Sequence, residues 1–140
     1  MRILFTNNYS AAAKQAEWQG GRTGREHCWG VPELRDMGFQ VDVLPFRDHY
    51  VMSSPRWGNL PQQRAILKRY RRFDVLYVGA QPLINALGLL RALGLFRKPI
   101  VAICHHGLPG GRIPSLYVRG IDHLIFLSRR MAEIAVDQYP

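Results

Sequence analysis

Five short apolar runs, none with strict polar alternation, set the limits on what this chain can fold into. They are Ile3-Leu4-Phe5, Val41 to Leu44, Val75 to Val78, Ile100 to Cys104 and Leu124 to Leu127. A strand with one wet face alternates apolar and polar residues, whereas a strand covered on both faces does not. The runs therefore predict a parallel sheet buried between helices. Asp74 and Asp122 stand just before the third and fifth runs, as polar residues leading into strands.

The segments between the runs supply the helices. Pro82 to Leu93 places Leu83, Leu87 and Leu90 on one helical face, with Pro82 suited to the first turn. Ser128 is a natural N-cap for a helix through Arg129, Ala132, Ile134 and Val136. Gln62 to Arg72 also reads as helix. The stretch from Asn7 to Gly38 is less regular: a long loop through Gly20-Gly21, a helix broken at Gly30 and Pro32, and a last turn of Glu33 to Met37 closed by Gly38. Strand-helix alternation gives βαβ units with right-handed crossovers. The expected fold is α/β: a single Rossmann-like doubly wound parallel sheet of about five strands, helices on both faces, in the order 3-2-1-4-5. The 140 residues make one domain, 1–140, with no repeat or linker.

Composition removes several classes. An apolar fraction of 47% excludes a disordered tail. The two cysteines, Cys28 and Cys104, match neither a zinc spacing nor a redox pair, so a reduced, cytoplasmic setting is expected. The opening apolar run turns polar at Asn7-Asn8, too soon for a signal peptide. Pro82 to Phe96, interrupted by Asn85 and Arg91, falls short of the roughly 20 residues of a membrane span. No GxGxxG follows the first strand and no P-loop occurs, so nicotinamide and ATP readings drop out and no cofactor is expected. His105 and His106 are adjacent, their side chains diverge, and no third ligand is evident, so no metal site is expected.

Charge points the other way, toward a partner. Nineteen Lys and Arg against 10 Asp and Glu give a formal +9, which calls for a phosphate-bearing ligand, an anionic membrane or nucleic acid. No nucleic-acid motif supports the last. Arg64, Lys68, Arg69, Arg71 and Arg72 crowd one segment with no acid before Asp74, and Ile66, Tyr70 and Phe73 follow at helical spacing. That combination predicts attachment of Gln62 to Phe73 to an anionic membrane surface, peripheral on the inner face. The simpler alternative packs the apolar stripe on the sheet and leaves the arginines in water.

A ligand crevice in an open α/β sheet lies beyond the carboxyl ends of the strands, where connections diverge. For the expected order it falls between strands one and four, where the Thr6 to Gly21 and His105 to Arg112 loops meet. Both are longer than the usual connection of about 2–6 residues. The crevice is accordingly assigned Asn7, Asn8, Gly20, Gly21, His105, His106 and Gly107. Gly20-Gly21 would bring backbone N–H groups close to a phosphate. His105 and His106 would bond a hydroxyl or phosphate, or exchange a proton near neutral pH; the plainer reading is a histidine held by a loop carbonyl.

Several stretches, in this order and spacing, resemble the acceptor-side N-terminal domain of GT-B glycosyltransferases, the retaining family 4 in particular. They are the opening Met1-Arg2-Ile3-Leu4-Phe5 with its Gly20-Gly21 loop, Glu33 to Val43, Phe73 to Val78, Lys98 to His105, and Ile121 to Ser128. The resemblance covers nearly the whole chain. It implies that the chain is the acceptor-binding half of an enzyme moving a sugar from a nucleotide-sugar donor to a sugar or lipid-linked acceptor. It further implies that His105 lines the transferred sugar as the catalytic residue and that Gly20 and Gly21 approach donor phosphate or acceptor. The donor-gripping C-terminal domain would lie beyond Tyr139-Pro140 or in a partner chain, and the 140 residues alone would not transfer sugar. The first loop is longer than the family's, and Pro32 interrupts a helix that is normally continuous. Lys98 to His105 also resembles the nucleophile strand of cysteine-dependent amidotransferase-like proteases and deglycases. There Cys104 would be the nucleophile, with an acid such as Glu26 nearby.

Overall fold

A computed structural model describes residues 1–47, 50, 56–108 and 111–139; Pro109, Gly110 and Pro140 lie outside them. The five apolar runs become five strands: β1 (Arg2–Thr6), β2 (Gln40–Val43), β3 (Val75–Val78), β4 (Ile100–Cys104) and β5 (His123–Phe126). All neighbours pair in parallel. The helices among the described residues are α1 (Ala11–Gln19), α2 (Val31–Asp36), α3 (Leu60–Leu67), α4 (Asn85–Ala92), α5 (Arg112–Arg119) and α6 (Arg129–Gln138). The fold is α/β with a five-stranded parallel sheet, as the unalternating runs require.

The sheet order is β2-β1-β3-β4-β5, which corrects the expected 3-2-1-4-5. The β2–β3 connection carries α3 back across β1, so β3 joins the free edge of β1 rather than extending beyond β2. Successive strand residues point to opposite faces, and two cores result. Leu4, Leu76, Val78, Ile100 and Ala102 pack on one face with Ile66 of α3 and Leu87 of α4. Ile3, Phe5 and Val41 pack on the other with Ala11 of α1 and Val31 of α2.

Asp74 and Asp122 pin the strands they precede. Asp74 accepts from the Arg2 backbone N–H at 2.8 Å and pairs with its guanidinium at 2.9 Å. Asp122 accepts from Arg91 of α4 at 3.0 and 2.5 Å and from the Ile100 N–H at 2.8 Å. The arginines hold both carboxyls below their ordinary range, Asp74 at about 2.

The region expected to be loop is α1. Ala, Gln, Lys and Glu favour helix, and the Ser10 hydroxyl caps it by accepting from the Ala13 N–H at 3.2 Å. Gly20-Gly21 ends this helix. Gly21 has φ +70, its N–H bonds Trp18 O, and the Arg22 N–H bonds Glu17 O, the paired bonds of a Schellman stop. Gly38 closes α2 in the same way, as expected. Ser128 caps α6 through the Met131 N–H at 3.3 Å, also as expected.

Candidate functional site

In the observed order the connections diverge between β1 and β3, not between the first and fourth runs. Three strand ends meet there, at Thr6-Asn7, Gly79-Ala80 and His105-His106. A Cβ on Gly79 would collide with the Asn7 side-chain amide, so a residue other than glycine here would displace that side chain. Asn7 itself is buried, its Oδ1 accepting from the Asn8 N–H at 2.8 Å. Gln62 of α3 fixes this turn from below, donating to Thr6 Oγ1 at 2.6 Å and to Asn7 O at 2.7 Å.

A cleft of about 760 Å³ opens over these strand ends. Its polar lining is Asn8, Tyr9, Gln81, Asn85, His105 and His106, with Pro82 and Leu83 as apolar walls. The Gln81 amide donates to Asn85 Oδ1 at 2.8 Å. Among the described residues no Asp, Glu, Lys or Arg lines it, on a chain of formal charge +9.

His105 is held on two sides. Its Nε2 lies 2.6 Å from Gly79 O, and because a carbonyl can only accept, Nε2–H is the donor of that bond. The Trp29 ring meets the imidazole edge-on, with centroids 4.8 Å apart. Trp29 sits at φ 54, a region disfavoured for a bulky side chain, and three bonds keep it there. Its indole N–H donates to the Tyr9 hydroxyl, its carbonyl accepts from Tyr77 at 2.8 Å, and its own N–H bonds Glu26 O at 3.3 Å. Burial pushes the Tyr9 and Tyr77 hydroxyls up to about 12, so both remain donors at neutral pH. Arg25, paired with Glu33 and Asp36, ties the preceding turn to α2. The sequence held no periodic signal for Trp29, which lies in its least regular stretch.

Of the residues assigned from sequence, Asn8, His105, His106 and Gly107 line one cleft and Asn7 lies beneath it. Gly20 and Gly21 are not among its lining residues. They end α1, whose nine residues run about 13 Å from the turn at Asn7 and Asn8. Their glycines are accounted for by the helix stop.

Ile66 and Phe73 of the Gln62 to Phe73 segment are buried in the core and Tyr70 packs against it, so that stripe is not free to enter a membrane. The continuous helix expected there is α3 followed by a 3-10 turn at Tyr70–Arg72. Arg64, Lys68, Arg71 and Arg72 face solvent and Arg69 is half-buried. No helix of the described residues is long and apolar enough to cross a membrane.

Cys104 is 2% exposed and packs with Leu108, Val118 and Ala135. Burial pushes its thiol up to about 11, which leaves on the order of one part in 10⁴ as thiolate at pH 7. Glu26 is exposed and lies 3.8 Å from His27. Native protein at pH 7 should therefore resist iodoacetamide at both cysteines, with labelling of Cys104 rising as pH climbs toward 11. Rapid selective labelling of Cys104 at neutral pH, read by mass spectrometry, would restore the nucleophile reading.

No family model matches the chain, and no curated protein is similar to it.

Proposed function

We propose that the chain is the acceptor-binding half of a retaining glycosyltransferase, and that the cleft over β1, β3 and β4 takes the hydroxyl-rich part of its ligand. The neutral lining carries this reading. Sugar hydroxyls both donate and accept, and so do the amides of Asn8, Gln81 and Asn85 and a neutral imidazole, while Pro82 and Leu83 suit the C–H faces of a pyranose. A site built for a phosphate or carboxylate would instead place Arg or Lys in the lining.

His105 has the central role. With Nε2–H committed to Gly79 O, Nδ1 can accept a hydroxyl proton and orient the sugar. Trp29 fixes the ring plane, so the imidazole meets the ligand without a rotamer search. The donor's nucleotide and pyrophosphate belong, in this reading, to a second domain or partner chain, and transfer requires both halves.

Saturation-transfer NMR of the chain with methyl glycosides of common hexoses and with nucleotide-sugars tests the reading. At least one sugar should bind, and His105→Ala should weaken it tenfold or more. Stability should fall by about 1 kcal/mol, the usual worth of one hydrogen bond. Equal binding by His105→Ala would show that His105 only braces the loop, and no sugar binding to the unaltered chain would overturn the sugar reading.

A further inference from the structure

The cations absent from the cleft are gathered elsewhere. A second groove, of about 670 Å³, runs between the segment after β2 and the outer side of α3. Arg47, Arg64, Lys68 and Arg69 line it, with Tyr50, Pro61 and Ala65 as its less polar surface. No acid lines it. Four arginines of the described residues have carboxylate partners: Arg2 with Asp74, Arg25 with Glu33 and Asp36, Arg91 with Asp122, and Arg129 with Glu133. Arg47, Arg64, Lys68 and Arg69 form no such pair among the described residues. Asp42 borders a separate depression with Arg69 and Arg72.

Four like charges around one groove repel one another. An anion seated among them reverses the sign of that interaction. The guanidinium groups match phosphate oxygens through paired N–H donors, and Lys68 adds a point charge. Arg69 is oriented, its Nη1 donating to Ala65 O at 3.1 Å. Arg64 and Lys68 stand one turn apart, about 6 Å along the axis. That spacing suits one or two phosphate groups.

We infer that this groove binds a phosphate ester or pyrophosphate, separately from the sugar cleft. Two sources share that chemistry: a soluble phosphorylated compound and the phosphate headgroup of a lipid. The groove also revises the membrane expectation, because it draws on Arg47, from outside the Gln62 to Phe73 segment, and leaves Arg71 and Arg72 out.

The test compares two variants of the full chain that each lose two positive charges. Arg47→Gln/Lys68→Gln lies inside the groove; Arg71→Gln/Arg72→Gln lies outside it. Inorganic pyrophosphate is titrated by calorimetry, and sedimentation is measured with vesicles of phosphatidylcholine alone and of phosphatidylcholine with phosphatidic acid in equal parts. The inside pair should weaken binding tenfold or more while the outside pair changes it less than threefold. Pyrophosphate binding without sedimentation on phosphatidic acid identifies a soluble ligand. Sedimentation on phosphatidic acid that the inside pair abolishes identifies a lipid headgroup. Equal losses in the two variants, or no binding of either probe, would reduce the groove to ordinary surface charge and overturn the inference. Since the probes carry no sugar, this outcome is independent of the cleft.

Discussion

Gly120→Ala should remove a large share of the folded state's stability. The helices α4 and α5 cross where Gly88 faces Gly120, with no side chain between their backbones. A Cβ built on Gly120 would stand 1.8 Å from Gly88 O and 2.6 Å from Gly88 C. Both obstacles are backbone, so no rotamer change relieves them; the helices must separate. Separation would open the packing around Leu87 and Val118, both in buried clusters. The expected loss is about 4 kcal/mol or more, set against a typical total of about 5–15. Gly107→Ala is the matched control, because a Cβ there meets nothing within 4 Å; it should move stability by no more than about 0.5 kcal/mol. Urea unfolding of the two variants checks both. A Gly120→Ala protein as stable as Gly107→Ala would mean that the helices do not approach so closely.

The strands were legible in the sequence because unbroken apolar runs leave a direct mark, clearest at Ile100 to Cys104, where four of the five residues are buried. Their order left no such mark. Whether β3 sits beside β1 or beyond β2 depends on how Leu44 to Asp74 travels, and crossover length alone permits both. The helix α1 was missed for a different reason. Its only buried residue is Ala11, so it has little apolar stripe, and only alanine-rich propensity and the Ser10 cap signal it. Reading Gly20-Gly21 as a ligand loop followed from that omission, since a helix that stops here calls for glycine at Gly21, with φ +70, and makes Gly20 its C-cap.

The site divides similarly. Asn8, His105, His106 and Gly107 were found because position at the end of a parallel strand is itself informative. Gln81 and Asn85 escaped because Pro82 to Leu93 reads as helix from its leucine spacing, which says nothing about the polar residues at its start. Both are buried. Charge was legible as a total of +9 but not as a distribution. A neutral cleft and a cationic groove on one chain become separable only after α3 is placed, with one side turned to the strand ends and the other to solvent.

That placement makes Gln62 the residue whose loss should be felt furthest. It is 2% exposed, and its amide donates both to the Thr6 hydroxyl and to the Asn7 carbonyl. Gln62→Ala would leave those two acceptors unpaired and a cavity beside them, costing about 3 kcal/mol. Asn7 in turn holds the N–H of Asn8, which lines the cleft, so the strand end should loosen and sugar binding fall at least tenfold. Gln62→Met separates the causes. It fills the volume without supplying either hydrogen bond, so the stability loss should shrink to about 2 kcal/mol while sugar binding stays weak. Pyrophosphate binding should survive in Gln62→Met, because Arg64 and Lys68 occupy the opposite side of the same helix and keep their places while α3 is folded. Denaturant unfolding and the two ligand titrations on one set of samples read all three quantities. If Gln62→Met binds sugar as the unaltered chain does, Gln62 serves packing alone and the cleft's geometry is set without it.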